Sequence, residues 1–242
     1  MFRRVLYLGI SGSHAYGTAL PESDKDYRGI FVPSREELLG LDCPEHYCLA
    51  KPDLTLWSLH KMVKAALSNG PVALEMLYLP EDCVLYLDPL FEPILSVRDR
   101  FLSRLMYKTY TGFARGELKR LQAKYEKSGE LDRKGAAHVI RLLETAAESL
   151  REGVLRVRRP NARDLLRIRN EGISMEELQD RVAVLLSDVE QALETSPLPE
   201  RPDRDAIVTV LVDVAEQALS WQGSQEATDL CAQILQEKEK ED

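Results

Sequence analysis

Cysteine and long apolar runs are both scarce in this chain of 242 residues, and each shortage excludes a class of protein. Four cysteines are too few for a disulfide-stabilised scaffold and are typical of a reducing compartment. No run of about eighteen apolar residues occurs, so the sequence predicts no membrane-spanning helix. The chain starts directly with strand-like sequence rather than a signal peptide. We therefore expect a cytoplasmic protein that has no membrane partner.

Acidic residues outnumber basic ones overall, but the net charge of −8 is unevenly distributed. Residues 98–170 contain 19 Lys and Arg against 9 Asp and Glu, which leaves 13 basic and 31 acidic residues elsewhere. A basic segment of this kind is typical of a surface that binds a polyanion. Chance segregation of charge among Arg- and Glu-rich helices would produce the same pattern, so both interpretations stay open.

The apolar periodicity changes near residue 100. Before it, strand-like runs at 3–9, 25–32 and 53–57 alternate with short helices, two of which begin after Ser34 and Ser58. After it, nearly every segment has the spacing of an amphipathic helix. We predict an α/β (α+β) N-terminal domain with a mixed sheet over 1–100 and an all-α helical domain over 101–242. The predicted helices of the second part span 102–127, 133–152, 162–169, 175–193 and 205–221.

A phosphate-binding turn is predicted at Gly12-Ser13, directly after the first strand. Backbone N–H groups and a hydroxyl at such a turn can face an anion. Further along, Asp24 and Asp26 project from one face of the second strand because side chains alternate along a strand. Two adjacent carboxylates repel each other unless a cation neutralises them, and Mg²⁺ also binds nucleotide phosphates. The pair alone would also fit an exposed strand end, so its combination with the upstream turn is what favours a metal site.

Two short blocks carry a resemblance to a known family. They read Gly12-Ser13-His14-Ala15-Tyr16-Gly17 and Ser23-Asp24-Lys25-Asp26-Tyr27-Arg28-Gly29. They resemble the G-S-x-A-x-G and S-D-x-D signature of the DNA polymerase β superfamily of nucleotidyltransferases. His14, Tyr16, Arg28 and Gly29 make the chain similar, more narrowly, to the family called YcgL or RlaP, the RNA-ligase-associated nucleotidyltransferases.

The resemblance implies a transferase that moves a nucleoside monophosphate from an NTP to an acceptor. It also implies Mg²⁺ or Mn²⁺ held by three carboxylates, of which Asp24 and Asp26 match the first two. Asp53, at the start of the third predicted strand, fits the third, which would help to ionise the attacking hydroxyl. Gly12, Ser13, His14, Tyr16 and Arg28 are then expected to bind the nucleotide. One departure concerns Asn69: many relatives have Asn directly before the proline, whereas Gly70 intervenes here, which puts a role for Asn69 in doubt.

A polar face is predicted on the helix over 133–152. Lys134, His138 and Arg141 are spaced i, i+4, i+7 and share one side of an otherwise apolar stretch. They form either a solvated stripe or, as the resemblance favours, a contact with the triphosphate or with acceptor phosphates. We expect this face to close over the N-terminal site. Glu75, inside the apolar run 72–79, is either a further carboxylate near the site or a local pairing residue.

These features predict a nucleotidyltransferase acting on an RNA end during repair or processing, with functional partnership with an RNA ligase. Two alternatives stay open on sequence grounds. One is adenylylation of a protein or a small molecule. The other is a nucleotide-binding regulator without turnover, against which the presence of both Asp24 and Asp26 argues.

Overall fold

A mixed β-sheet forms the N-terminal part of the chain. The computed structural model describes residues 4–49 and 53–239, and within them the sheet has five strands in the order β3-β4-β2-β1-β5. β2 and β4 are parallel, whereas the other neighbouring pairs are antiparallel. The predicted mixed sheet is therefore confirmed. The strands are β1 (Val5–Ser11), β2 (Asp26–Phe31), β3 (His46–Leu49), β4 (Leu54–Ser58) and β5 (Val84–Leu87).

Three of these strands follow the sequence predictions, with β1 extending to Ser11 and the predicted Arg3 lying outside the described residues. β3 and β5 were not predicted. Both are four residues long and lie at the two edges of the sheet, where most of their side chains are partly or fully exposed. Such short edge strands lack a buried face and therefore lack the apolar alternation that reveals longer strands.

Helices make up nearly all of the chain after residue 90, which confirms the predicted helical second part. None of the helices within 4–49 and 53–239 has the length and apolar character that crossing a membrane requires. Short 3₁₀ turns occur at Glu81–Cys83, Pro89–Phe91 and Arg98–Phe101. The α-helices are α1 (Gly12–Tyr16), α2 (Arg35–Leu39), α3 (Leu59–Leu67), α4 (Pro71–Leu77), α5 (Glu92–Ser96), α6 (Leu105–Ser128), α7 (Arg133–Glu152), α8 (Ala162–Glu171), α9 (Met175–Glu194), α10 (Arg204–Ser220) and α11 (Gln225–Glu239).

The structure contains side-chain caps at the predicted helix starts. Ser34 and Glu37 form a capping box at α2, and the Ser58 hydroxyl accepts a hydrogen bond from the Lys61 N–H at α3. Asp132 caps α7 by accepting from the Gly135 N–H at 2.9 Å. Each cap satisfies an N–H group that the first turn of a helix leaves without a partner.

Both faces of the sheet are covered. On one face, a single cluster of buried side chains runs from Leu6 in β1 to Ala218 in α10 and so crosses residue 100. On the other face, Ala227, Cys231 and Ile234 of α11 pack against apolar side chains of β1, β2 and β4. The helices predicted from the sequence end at residue 221, so α11 was not among them. Division into domains at 100/101 stays a prediction, because the shared core is compatible with one or two folding units.

Asn69 connects the end of α3 to the start of α6. Its amide nitrogen donates to the Phe101 carbonyl at 2.6 Å, and its amide oxygen accepts from the Ser103 hydroxyl at 2.7 Å. The residue is fully buried and has a left-handed backbone, with φ of 52°. Asparagine tolerates this conformation better than other residues that have a Cβ atom. Asn69 therefore has a structural role that its sequence context left in doubt.

Replacing Asn69 with Ala should lower the free energy of unfolding by about 2–5 kcal/mol. Each buried polar group that loses its partner costs about 1–3 kcal/mol, and a left-handed alanine costs about 1–2 kcal/mol more. Urea unfolding followed by circular dichroism measures the change. Asn69→Gly is the matched control, because glycine removes the backbone strain but not the lost hydrogen bonds. A loss below 1 kcal/mol in Asn69→Ala would contradict this role.

Candidate active site

The predicted Gly12-Ser13 turn lies where β1 passes into α1. The Ser11 hydroxyl donates to the Asp26 carbonyl of the neighbouring strand at 3.1 Å. Gly12 has φ of +65°, and a Cβ atom built there would lie 2.1 Å from Asp26 Oδ2. Only glycine allows the carboxylate to lie directly against the turn. The turn and the carboxylate therefore form one unit.

Two of the three predicted carboxylates are in contact. The parallel register of β2 and β4 places Asp26 beside Asp53, where the two strands begin. Burial raises the pKa of Asp26 above its ordinary value, and the Asp53 carboxylate raises it further, whereas Lys134 and Arg28 oppose this shift. A cation bound between the two carboxylates would offset their mutual repulsion.

Asp24 is exposed and precedes β2. Its predicted place beside Asp26 as a metal ligand stays a prediction. Across the described ranges, no three His, Cys, Asp or Glu side chains are grouped closely enough to hold a metal ion. His14 Nε2 lies 3.2 Å from the Ser23 carbonyl, to which it can donate, and so connects α1 to the loop that carries Asp24.

A cavity of about 370 Å³ opens between the turn and the helical part of the chain. One wall consists of the Gly12-Ser13 turn with Asp26 and Arg28, and α7 supplies the opposite wall. The lining also has apolar members, among them Val72, Met76 and Leu165. The structure thus brings one polar and one apolar region together in a single cavity. The predicted residues that line it are Gly12, Ser13, Tyr16, Asp26, Arg28, Lys134, His138 and Arg141.

Arg141 is part of a buried ion pair rather than a free cation. Its Nη1 donates to Glu75 at 2.6 Å, and its guanidinium lies 3.7 Å from the centre of the Tyr16 ring. The Tyr16 hydroxyl donates to the other oxygen of Glu75 at 2.7 Å. The partner of Glu75 is therefore distant in sequence, which resolves the two alternatives for this residue in favour of a place beside the site. Direct contact of Arg141 with phosphate stays a prediction.

His138 and Lys134 extend from α7 toward the mouth of the cavity. Arg141 Nη2 lies 3.2 Å from His138 Nδ1, a distance at which it donates to the neutral ring. Although part of the ring faces solvent, burial by the surrounding protein and the adjacent Arg141 cation together lower the pKa of His138 to about 4. Lys134 is exposed and acts electrostatically on Asp26. At neutral pH, Lys134 is therefore the cation of this face that can meet an anion without breaking an ion pair.

The cavity also has lining residues that the sequence analysis did not predict as site residues, namely Glu117, Arg120 and Asp132. Glu117 and Arg120 form an ion pair at 2.5 Å on α6. In the sequence, charged residues at helical spacing indicate only that one face of the helix is exposed to solvent. The packing of α6 against α7 is what places this face of α6 at a cavity. No local signal in the sequence would have distinguished these residues from other charged helix positions.

One family model matches most of the chain. A sequence model described as "RlaP: RNA repair pathway DNA polymerase beta family" matches residues 2–213. The chain belongs to this family. The resemblance based on Gly12–Gly17 and Ser23–Gly29 is thereby confirmed. α11 lies beyond the RlaP match.

Individual relatives are more distant. A segment of 117 residues is 36% identical to the "Uncharacterized 38.9 kDa protein in nrdC-mobD intergenic region" of Enterobacteria phage T4. This segment is 43% of the present chain and spans about a third, 34%, of that relative. The crystal structure of a nucleotidyltransferase-like protein from Exiguobacterium sibiricum aligns with 88% of this chain and 74% of its own, at 12% identity and a TM-score of 0.27.

Gly12→Ala should reveal the close approach of Asp26 in a double-mutant cycle. In the parent, the new Cβ would collide with the carboxylate, whereas in an Asp26→Ala background only the left-handed backbone strain remains. We expect a coupling free energy of about 1–3 kcal/mol, measured by urea unfolding. Gly129→Ala is the control for strain alone, since Gly129 has φ of +71° and no neighbour within 4 Å. Additive effects of the two changes would contradict the packing described here.

Arg141→Ala should lower the free energy of unfolding by about 3–5 kcal/mol, because it leaves Glu75 as an uncompensated buried charge. Lys134→Ala, a loss of the same charge from an exposed position on the same helix, should change it by less than about 0.5 kcal/mol. Adding Glu75→Leu to Arg141→Ala should recover much of the loss. Equal effects of the two single variants in thermal unfolding would contradict the assignment of Arg141 to the core.

Proposed function

We propose that this protein is an Mg²⁺- or Mn²⁺-dependent nucleotidyltransferase that transfers a nucleoside monophosphate from an NTP to the end of an RNA. The observation that carries the proposal is the cavity in which the Gly12-Ser13 turn and Asp26 face the cations of α7. A turn, a carboxylate pair and an opposing basic wall are together what a metal-bound triphosphate requires. The RNA acceptor is supported by the RNA repair description of the family.

The carboxylates fit a divalent cation in their chemistry. Burial and the neighbouring Asp53 carboxylate raise the pKa of Asp26, and a hard cation bound beside the two carboxylates would offset this repulsion with its own charge. Asp26 and Asp53 would hold the ion, and Asp24, which precedes β2, would join them as the third ligand only by moving toward the pair. When bound, the ion would stabilise negative charge on the attacking and leaving oxygens.

The protein's own groups would perform the remaining tasks. The Ser13 hydroxyl and the backbone of the turn would bind the triphosphate, and Lys134 and Arg28 would neutralise its charge. Asp53 would accept the proton of the acceptor hydroxyl as its oxygen attacks the α-phosphorus. A bond from the hydroxyl oxygen to phosphorus forms, the bond to the bridging oxygen breaks, and pyrophosphate leaves. The apolar end of the cavity, at Met76 and Leu165, offers a surface for the base.

Asp26→Asn should abolish transfer without harming the fold. With labelled NTPs, Mg²⁺ and a pool of single-stranded RNAs, we expect the parent protein to label RNA and release pyrophosphate, and the variant to be slower by about 100-fold or more. The metal-free variant should melt at a higher temperature than the parent at pH 7.5. Because the pKa of Asp26 is raised in the folded protein, the parent loses stability as the pH rises through that pKa. The variant keeps this stability because asparagine does not ionise. The difference in melting temperature should vanish below pH 4.

Asp213→Asn, at an exposed position on α10, is the matched control and should retain full activity. Activity of Asp26→Asn within a few-fold of the parent would overturn the role of this carboxylate. Labelling of a protein or a small molecule in place of RNA would replace the acceptor by the adenylylation alternative. Binding of NTP without pyrophosphate release from any acceptor would identify a regulator. A functional partnership with an RNA ligase in a reducing cytoplasm is part of the same proposal.

A further inference from the structure

A second cavity, of about 500 Å³, lies between α6 and α7 and continues from the candidate active site. Glu117 and His138 line both cavities, so an extended molecule can lie along the groove and reach the first cavity at its end. The groove proper is bounded by Thr109, Gly112, Phe113, Gly116 and Leu142. None of the nucleotide-binding roles proposed above uses these five residues.

Phe113 is the exposed aromatic side chain of this groove. It is 60% exposed, whereas Tyr110, one turn away on α6, is fully buried. Cβ atoms added at Gly112 or Gly116 would meet nothing within 4 Å. The helix surface beside the ring is therefore bare backbone, and a flat group can approach the ring from the groove. Aromatic rings in such positions are typical stacking platforms for the bases of single-stranded nucleic acids.

Lys108, Arg115 and Lys119 follow one another along α6 at a spacing of seven and then four residues, and all three are exposed. This spacing places them on one stripe beside the two glycines, over a length of about 16 Å. In the described part of the chain, none of the three has an acidic partner. In contrast, Arg120, Arg151 and Arg156 of the same basic segment form ion pairs. The stripe is thus positive charge that the protein itself leaves without neutralisation.

We propose that the groove between α6 and α7 binds the single-stranded end of the RNA acceptor. Phe113 stacks on a base, and Lys108, Arg115 and Lys119 contact the phosphates, so that the terminal hydroxyl passes His138 and enters the first cavity. The inference rests on the proposed function for the choice of RNA. It adds the place where the acceptor lies, which that proposal does not specify.

Binding of a fluorescent single-stranded RNA, measured by anisotropy without NTP, tests the groove. Phe113→Ala should weaken binding roughly 5- to 150-fold, as loss of one stacked base does. Replacing Lys108, Arg115 and Lys119 together with Ala should reduce the slope of log affinity against log salt by about 2, at about 0.7 for each phosphate contact. In transfer assays, the KM for RNA should rise in both variants while the KM for NTP stays constant.

Two matched controls isolate the groove. Tyr125→Ala removes another exposed aromatic of α6, about 18 Å further along the helix. A triple variant at Arg35, Lys64 and Arg201 removes the same charge from exposed positions elsewhere. Neither control should change the RNA affinity by more than about twofold, apart from the effect of the lower net positive charge on any RNA binding. Gly116→Leu should obstruct the groove, and leucine has a higher helix propensity than glycine. This variant therefore provides a second test of the groove if Phe113→Ala destabilises the protein.

The outcomes distinguish this inference from the proposed function. If the parent protein labels RNA and the groove variants bind and label it equally well, the groove is not the acceptor site, whereas the proposed function stands. If the parent neither binds nor labels any RNA, the RNA acceptor is wrong and the inference with it. If the groove variants lose RNA affinity and the controls do not, the groove is the acceptor site.

Discussion

The buried ion pair between Arg141 and Glu75 is the interaction on which the arrangement of the site depends. Glu75 lies on α4 and Arg141 on α7, so the pair joins the N-terminal part of the chain to its helical part. The Tyr16 hydroxyl of α1 donates to Glu75 and its ring stacks on the guanidinium, which attaches the Gly12-Ser13 turn to the same point. Because a lone buried charge is costly, neither helix can move away without a large penalty. The position of Lys134 opposite Asp26 follows from this connection.

The close approach of Asp26 to Gly12 is a second constraint, and it acts against stability. Burial and the neighbouring Asp53 carboxylate raise the pKa of Asp26, so the isolated protein would be more stable without this charge. Repulsion between carboxylates is offset when a cation binds to them. Destabilised sites of this kind are common at functional positions. The geometry and the electrostatics of the turn therefore lead to the same interpretation as the family match.

Positive charge in the middle of the chain has three distinct uses in the structure. Arg141 is part of the core, and arginines such as Arg151 and Arg156 pair with nearby carboxylates at the surface. Lys108, Arg115 and Lys119, beside the groove on α6, have no acidic partner among residues 4–49 and 53–239. The net count of charges could not separate these groups, because a formal charge says nothing about its neighbours. Ion pairs thus account for part of the basic segment, and binding of a polyanion by other residues of it stays a prediction.

The resemblance of two short blocks indicated the family, and local patterns in the sequence were enough to predict the turn at Gly12, the strands around it and the α7 helix. These features depend on short-range rules, such as side-chain alternation, helix capping and the conformational freedom of glycine. The edge strands β3 and β5, the packing of α11 on the sheet and the pairing of Glu75 with Arg141 were decided by the tertiary structure alone. Each of these depends on contacts between segments far apart in the chain, here 66 residues for the ion pair. The periodicity of one segment shows which face will be buried, but the partner against which it is buried appears only when the whole chain has packed.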